Sequence, residues 1–213
     1  MKKFLVTFFF FITLHGVTRA QVRYSFFAGP QLNTASYKIN GKKQDTKFKP
    51  GFQLGAGLKV PFDTKLYFTP AVFYSLKGYK VSLTAPSFPP DSLAINNNVT
   101  VHSFELAFLL QYDFSEDADH FFLRAGPTLD FALFGREKFD RSTGGTVNRN
   151  LKFGFGDYGH YLASGIIHFG YETHKGYFIF AAYNGTLGSI SNSDDGPVIK
   201  HRIVGISVGR FLK

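Results

Sequence analysis

The sequence predicts an all-β protein, an eight-stranded antiparallel up-and-down transmembrane β-barrel. Three observations predict it. From residue 21 onward apolar and polar residues alternate with period two, and helical periodicity does not recur. Short and long connections alternate strictly between the alternating stretches. The composition is 27 Phe, 11 Tyr and 22 Gly in 213 residues, with no Trp, which suits aromatic-rich strands broken by glycines. There is also no Cys, excluding disulfides, thiolate metal sites and a lipid-modified N-terminal cysteine.

The chain opens with MKKFLVTFFFFITLHGVTRAQ. Two lysines precede an apolar run from Phe4 to Leu14, and Thr18 and Ala20 put small residues at −3 and −1 of a cleavage point before Gln21. The run is too short to span a bilayer, so it predicts a secretory signal peptide over residues 1–20, cut between Ala20 and Gln21. The barrel domain then occupies residues 21–213. Losing Lys2, Lys3 and Arg19 with the leader takes the formal charge from +9 to +6. That modest excess suits an anionic partner such as lipopolysaccharide or nucleic acid as well as a merely soluble surface; the soluble surface is the preferred reading, with no nucleic-acid partner.

Eight stretches follow, at roughly 22–36, 48–61, 65–83, 99–114, 120–136, 152–172, 176–188 and 200–212. In the second, Phe52, Leu54, Ala56, Leu58 and Val60 point one way, and Gln53, Gly55, Gly57 and Lys59 the other. The fourth sets Phe104, Leu106, Phe108, Leu110, Tyr112 and Phe114 against Ser103, Glu105, Ala107, Leu109, Gln111 and Asp113. In the last, Val204, Ile206 and Val208 alternate with Gly205, Ser207 and Gly209. The connections after the second, fourth and sixth stretches are short (PFDT, SEDAD, THK). Those after the first, third, fifth and seventh are longer and rich in Gly, Asn, Pro or polar residues, such as TAPSFPPDSLAINNN. Both termini then fall at the short-turn end. Tight periplasmic turns and long external loops are the asymmetry of outer-membrane barrels, and eight strands make a small closed one.

A soluble β-sandwich or a periplasmic ligand-binding barrel would also alternate. Three features favour the membrane barrel. The face carrying Gly55, Gly57, Gly126, Gly205 and Gly209 is small-sided enough for a crowded lumen. The apolar faces of the second, fourth and fifth stretches carry almost no charge. A sandwich leaves the loop asymmetry unexplained. The phrase Ala-Gly-Pro occurs twice, at Ala28–Pro30 and Ala125–Pro127, and parity turns both prolines outward and both glycines inward. Pro70 repeats the arrangement between Phe68 and Val72. Since proline donates nothing to a ladder, the expectation is a local bulge at each of the three.

With AGPQLN in its opening strand, a central FELAFLLQYDF, then FFLRAGPTLDF and a terminal GISVGRFLK, the mature chain resembles the porin-family, or PorT-like, outer-membrane β-barrels over its whole length. The resemblance implies an integral outer-membrane location. It also implies a structural, adaptor or secretion-related role, with secretion-system proteins as partners beside outer-membrane lipids and lipopolysaccharide. One departure is that Leu212 and Lys213 follow the aromatic Phe211 on which such barrels often end.

No catalytic constellation emerges. His160, Ser164, His168 and Glu172 would share one face of the sixth stretch. Residues four apart on a strand lie about 13 Å apart, too far for a triad or a shared metal without partners from other strands. The expectation is therefore no enzyme and no cofactor. The rival readings are a lipid-modifying enzyme and a small-solute porin. Glu105, Arg124 and Asp130 face the same narrow interior, where lone charges are costly, so Arg124 is expected to pair with one or both carboxylates in a packed polar core. The Gly-rich loops lack the context of phosphate loops. Lys38, Lys42, Lys43, Lys47 and Lys49 form a basic run that reads first as a solvated loop and, as the alternative, as a surface for anionic sugars or lipid heads. Asp91-Ser92-Leu93 resembles a bacterial O-glycosylation signal, with Ser92 as acceptor.

Overall fold

The computed structural model describes residues 22–212. The leader and its Ala20–Gln21 junction lie outside them, as does Lys213. Eleven strands run in order: β1 (Arg23–Ile39), β2 (Lys42–Lys43), β3 (Asp45–Lys47), β4 (Lys49–Pro61), β5 (Leu66–Ser82), β6 (Asn96–Asp113), β7 (His120–Asp140), β8 (Thr146–Asn150), β9 (Tyr161–Glu172), β10 (Tyr177–Thr186) and β11 (Val198–Phe211). Eight of them form the wall in the order β1-β4-β5-β6-β7-β9-β10-β11, each antiparallel to the next, and β11 pairs back onto β1 from Ser25↔Phe211 to Lys38↔Val198. The sheet closes on itself, which removes its edges. The short strands β2, β3 and β8 pair with β1, β5 and β7 and raise the wall at the long-loop end.

The alternation has a clear sense. On β6, Phe104, Phe108, Leu110 and Tyr112 are exposed, whereas Ser103, Glu105, Ala107, Leu109, Gln111 and Asp113 are buried. Exposed aromatic and aliphatic side chains continue around the barrel through Leu54, Leu123, Leu129, Ile167, Ile179, Val204 and Ile206. A continuous apolar girdle of this extent is a lipid-facing surface. On β6 it ends at Phe104, above which His102, Thr100, Asn98 and Asn96 take the outward positions. The nine residues from Phe104 to Tyr112 match the length of a membrane-crossing strand. The wall above that level stands clear of the hydrocarbon.

The prolines do not create bulges. Registers on both sides of Pro30, Pro70 and Pro127 are unshifted. Each proline instead lies where one of its two ladders skips two residue pairs while the other stays continuous. Gly29–Pro30 is unpaired against Ile206–Ser207, Thr69–Pro70 against Leu58–Lys59, and Gly126–Pro127 against Phe108–Leu109. A missing N–H is absorbed by a local gap without an extra residue. The glycine of the repeated phrase has its own reason. A Cβ on Gly29 would lie 2.0 Å from the Ile206 carbonyl oxygen, and one on Gly126 2.2 Å from that of Phe108. Backbone thus passes backbone at both positions, and only glycine fits.

The one register shift in the β6–β7 ladder lies between His102 and Ser103, opposite Phe134 and Ala132. The extra residue reverses the parity of β7. Even positions up to Asp130 face inward, Leu133 and Phe134 are both exposed, and Glu137 and Phe139 are buried. The sixth stretch also begins later than its alternation suggests. Residues 152–160 are not a wall strand, because Gly154 and Gly156 adopt φ of 149° and 83° and break the extended chain. The segment folds over the mouth, burying Leu151 and Tyr158.

Gly126→Ala should push the β6 backbone aside and cost about 1–3 kcal/mol, as overpacking does. Gly165→Ala, with nothing within 4 Å of its Cβ, should stay within about 0.5 kcal/mol of the parent. Urea unfolding in detergent, followed by the heat-modified gel shift, measures both.

Candidate functional site

The interior chemistry begins with a conflict set by register. Glu105 on β6 lies directly opposite Asp130 on β7. Both are buried, at 0% and 3% exposure, and directly opposed like charges destabilise a sheet. Lys77, reaching across from β5, resolves the conflict. Its ammonium lies 2.6 Å from Glu105 Oε1 and is bonded to Asp130 Oδ2 as well. Asn184 Nδ2 donates to the other Glu105 oxygen at 3.1 Å.

Arg124 is not a member of this centre, contrary to the pairing expected of it. It sits six residues from Asp130 along β7, about 20 Å of strand, and faces Gln111 on β6 and His168 on β9. Its Nε donates to Gln111 Oε1, and Gln111 Nε2 donates to Asp113 Oδ1 at 2.5 Å. The guanidinium stacks over Phe122 at 4.5 Å and lies 5.3 Å from Phe178. Six residues is a separation readable in the sequence, and it alone argues against the pair. Lys77 shares the inward parity of Ser75 and Tyr79, but its place between the two carboxylates comes from the β5–β6–β7 register.

A second ionic cluster closes the short-turn end. Lys59 Nζ lies 2.7 Å from Asp113 Oδ2 and 2.9 Å from Glu172 Oε2. Arg23 meets Glu172 Oε1 at 2.5 Å, and His120 Nε2 lies 3.0 Å from Asp113 Oδ2. Lys59 also sits 4.3 Å over the Tyr67 ring, and Arg23 4.1 Å over that of Phe211. Sequence parity turned Lys59 inward, but its carboxylate partners come from β6 and β9 and needed the register to be found.

Apolar layers separate these centres. Phe27, Phe73, Phe122, Phe178 and Phe180 pack with Leu109 and Ile166 between the two ionic clusters. Above the Lys77 centre Tyr37, Tyr79, Val99, Phe139 and Ile199 form a second layer, covered by Leu83, Ala94, Leu151, Tyr158 and Ile190 from the loops. The loops are themselves tied down. Arg141 meets Asp91 at 2.7 Å, and Arg149 reaches Glu137 at 2.7 Å and the Pro90 carbonyl at 2.7 Å. The Leu93 N–H, followed by Arg141, holds the Asp91 carboxyl below its ordinary range. Ser92 lies exposed in the same turn. A depression of about 360 Å³ opens at the short-turn mouth beside Lys59, Asp113, His120 and Glu172, but the cavities deeper in the lumen are small. One of about 20 Å³ lies beside Asp130 and His201, and one of about 10 Å³ beside Glu105 and His168. Each holds a single water at most.

The histidine–serine face is divided. Ser164, His168 and Glu172 point into the lumen and are buried, but His160 precedes β9, is exposed, and stacks on Phe153 at 4.4 Å. Ser164 Oγ and His168 Nδ1 make no hydrogen bond among the described residues. Within those residues no three His, Asp or Glu side chains are grouped to hold a metal.

Lys77→Met should strand two carboxylates and cost about 3–5 kcal/mol, the cost of breaking a buried pair. The triple change Lys77→Met, Glu105→Gln, Asp130→Asn should recover part of it. Lys42→Ala, on exposed β2, should shift the urea midpoint negligibly. A parent-like Lys77→Met would show that the carboxylates are hydrated or protonated.

Among solved structures, the chain is similar to Ail, the attachment invasion locus protein of Yersinia pestis, in complex with the heparin analogue sucrose octasulfate, at 15% identity. That match covers 90% of this chain and 99% of Ail, with a TM-score of 0.46. It is also similar to Neisserial surface protein A, at 15% identity over 88% and 96% with a TM-score of 0.45. OprG of Pseudomonas aeruginosa matches at 12% identity over 91% and 97%, with a TM-score of 0.44. No curated protein sequence matches the chain. A family model described as outer membrane protein beta-barrel domain matches residues 18–192, covering seven of the eight wall strands. With its closed wall and its apolar outer girdle, the chain belongs to the outer-membrane protein β-barrel domain family.

Proposed function

We propose that this integral outer-membrane barrel is a closed, non-enzymatic scaffold that acts through its long-loop rim. The PorT-like, secretion-related adaptor role implied by the resemblance is the reading we adopt, with secretion-system proteins as partners at that rim. The sealed lumen carries the proposal. Two ionic clusters, two apolar layers and the loop segments over the mouth fill the lumen, which supports a scaffold over a conduit. A lipid-modifying enzyme would need a nucleophile and base in reach of each other and of lipid, and the buried Ser164 and His168 meet neither need. The rim is braced by the Arg141–Asp91 and Arg149–Glu137 ion pairs, which suits a surface that must present a fixed shape.

The purified protein should give no steady conductance in planar bilayers, and a stable large channel would overturn the proposal. The adaptor role should appear as co-purification of secretion components with the intact barrel, lost when loop 83–95 is replaced by a short turn that leaves the barrel folded. Orientation follows from the loop asymmetry. The chain has no cysteine, so single cysteines at Lys42, Asp91, Gly145 and Asp194 should be labelled on intact cells, whereas Asp63, Asp117 and His174 should be protected. The opposite pattern would invert the topology.

A further inference from the structure

A row of cations crosses the outer wall above the apolar girdle. Register sets Lys47 on β3 opposite Lys80 on β5, Lys80 opposite Asn98 on β6, Asn98 opposite Lys138 on β7, and Lys138 opposite Asn148 on β8. Lys47, Lys80 and Lys138 are exposed, and none has a carboxylate within ion-pair distance among the described residues. Arg136 stands two residues nearer the membrane on the same face. A fifth cation joins from β4: the Lys49 side chain crosses over Gly78, and its ammonium spends its three N–H groups on Asn98 Oδ1 at 2.7 Å, the Val99 carbonyl at 3.0 Å and Thr100 Oγ1 at 2.5 Å, so it adds charge to the row but no free donor. Two lysines directly opposed without an anion between them destabilise a sheet. The adjacent row holds Asp45 and Asp140. The Asp140 carboxylate is already engaged by Asn96 at 2.8 Å and Thr146 at 2.5 Å. Between the lysines lies a polar depression of about 290 Å³ bordered by Lys47, Lys80, Asn98, Lys138 and Asp140.

The height of this row identifies its ligand. Directly above Phe104, where the girdle ends, sits an aromatic ring in which the Tyr74 hydroxyl lies 2.6 Å from His102 Nδ1 and His102 stacks on Phe134 at 4.2 Å. Asn98 is four residues above His102, about 13 Å along the strand and about 10 Å of height at the usual strand tilt. That places the ammoniums at the polar headgroups, facing sideways into the leaflet rather than up into solvent, with stems long enough to reach down. We propose that Lys47, Lys49, Lys80, Lys138 and Arg136 form a binding site for the phosphate groups of the anionic glycolipid of the outer leaflet. The choice of leaflet rests on the orientation proposed above; the phosphate chemistry does not.

The test uses the full mature chain in neutral detergent, with lipid A carrying both phosphates as the probe. The probe should raise the melting temperature. The same lipid stripped of phosphate, and inorganic phosphate at equal concentration, should not. The double variant Lys80→Gln, Lys138→Gln should bind the probe roughly thirty-fold more weakly, and Lys42→Gln with Lys43→Gln should bind as the parent does. No shift in the parent, or an undiminished one in the Lys80/Lys138 variant, would overturn the site. An equal shift with inorganic phosphate would overturn the lipid as its source. Reversed cysteine labelling on cells with the detergent result intact would remove the outer leaflet as the source and leave the phosphate site standing.

Discussion

Glu105 and Asp130 occupy directly opposed positions on neighbouring strands, inside a space too narrow to hydrate them, and the ammonium of Lys77 lies between them. Register and charge are therefore locked together. Sliding β7 by one residue against β6 would turn Asp130 into lipid, and removing Lys77 would leave two carboxylates facing each other. Charge as a whole is balanced in the lumen. Among the described residues, Arg23, Lys59, Lys77, Arg124 and Arg149 match Glu105, Asp113, Asp130, Glu137 and Glu172 in number, the Glu137–Arg149 pair at the rim and the two ion clusters lying at different depths with Arg124 linked to the lower one through Gln111. Aromatic layers between the clusters keep each from being diluted by water, which strengthens every pair while raising the penalty for an unpaired charge.

The wall obeys a different constraint, backbone satisfaction in a medium without water. Closing β11 onto β1 meets most of it. The three outward prolines are accommodated where one ladder lapses for two residues, and in Gly29 and Gly126 the chain has the only residue that allows the neighbouring backbone to approach so closely. The repeated Ala-Gly-Pro thus marks equivalent construction points on opposite sides of the barrel. Above the girdle the alternation continues, but what it exposes changes from aromatic to amide and ammonium, and that change gives the barrel its depth in the membrane.

Much of this was legible in the residues. Period-two alternation and the strict alternation of short and long connections placed seven of the eight wall strands to within a few residues. The eighth failed at residues 152–160, where aromatic and glycine residues mimic alternation yet two glycines at positive φ turn the chain over the mouth. Parity put Glu105, Asp130 and Arg124 inside, but parity says nothing about height. Pairing depends on height, so Arg124 was joined to carboxylates about 20 Å away along the strand. Lys77 and Lys59 carried the right parity as well, but finding their carboxylates needs the registers from β4 through β9. The register itself, the reversal of parity at the β7 bulge and the row from Lys47 to Lys138 are relations between strands. No stretch of sequence states them.

Whether the lumen is sealed can be read directly from a thiol placed within it. Ser103 lies between the Lys77 centre and the upper apolar layer and is 1% exposed. With no native cysteine to compete, Ser103→Cys reports that point alone. A small charged thiol reagent applied to the folded protein in detergent, where both mouths are open to it, should leave this cysteine unmodified for as long as the barrel remains folded, and should modify it at once after denaturation. Rapid modification of the folded protein would mean that solvent runs through the barrel, and the account of a sealed, charge-balanced core would be wrong.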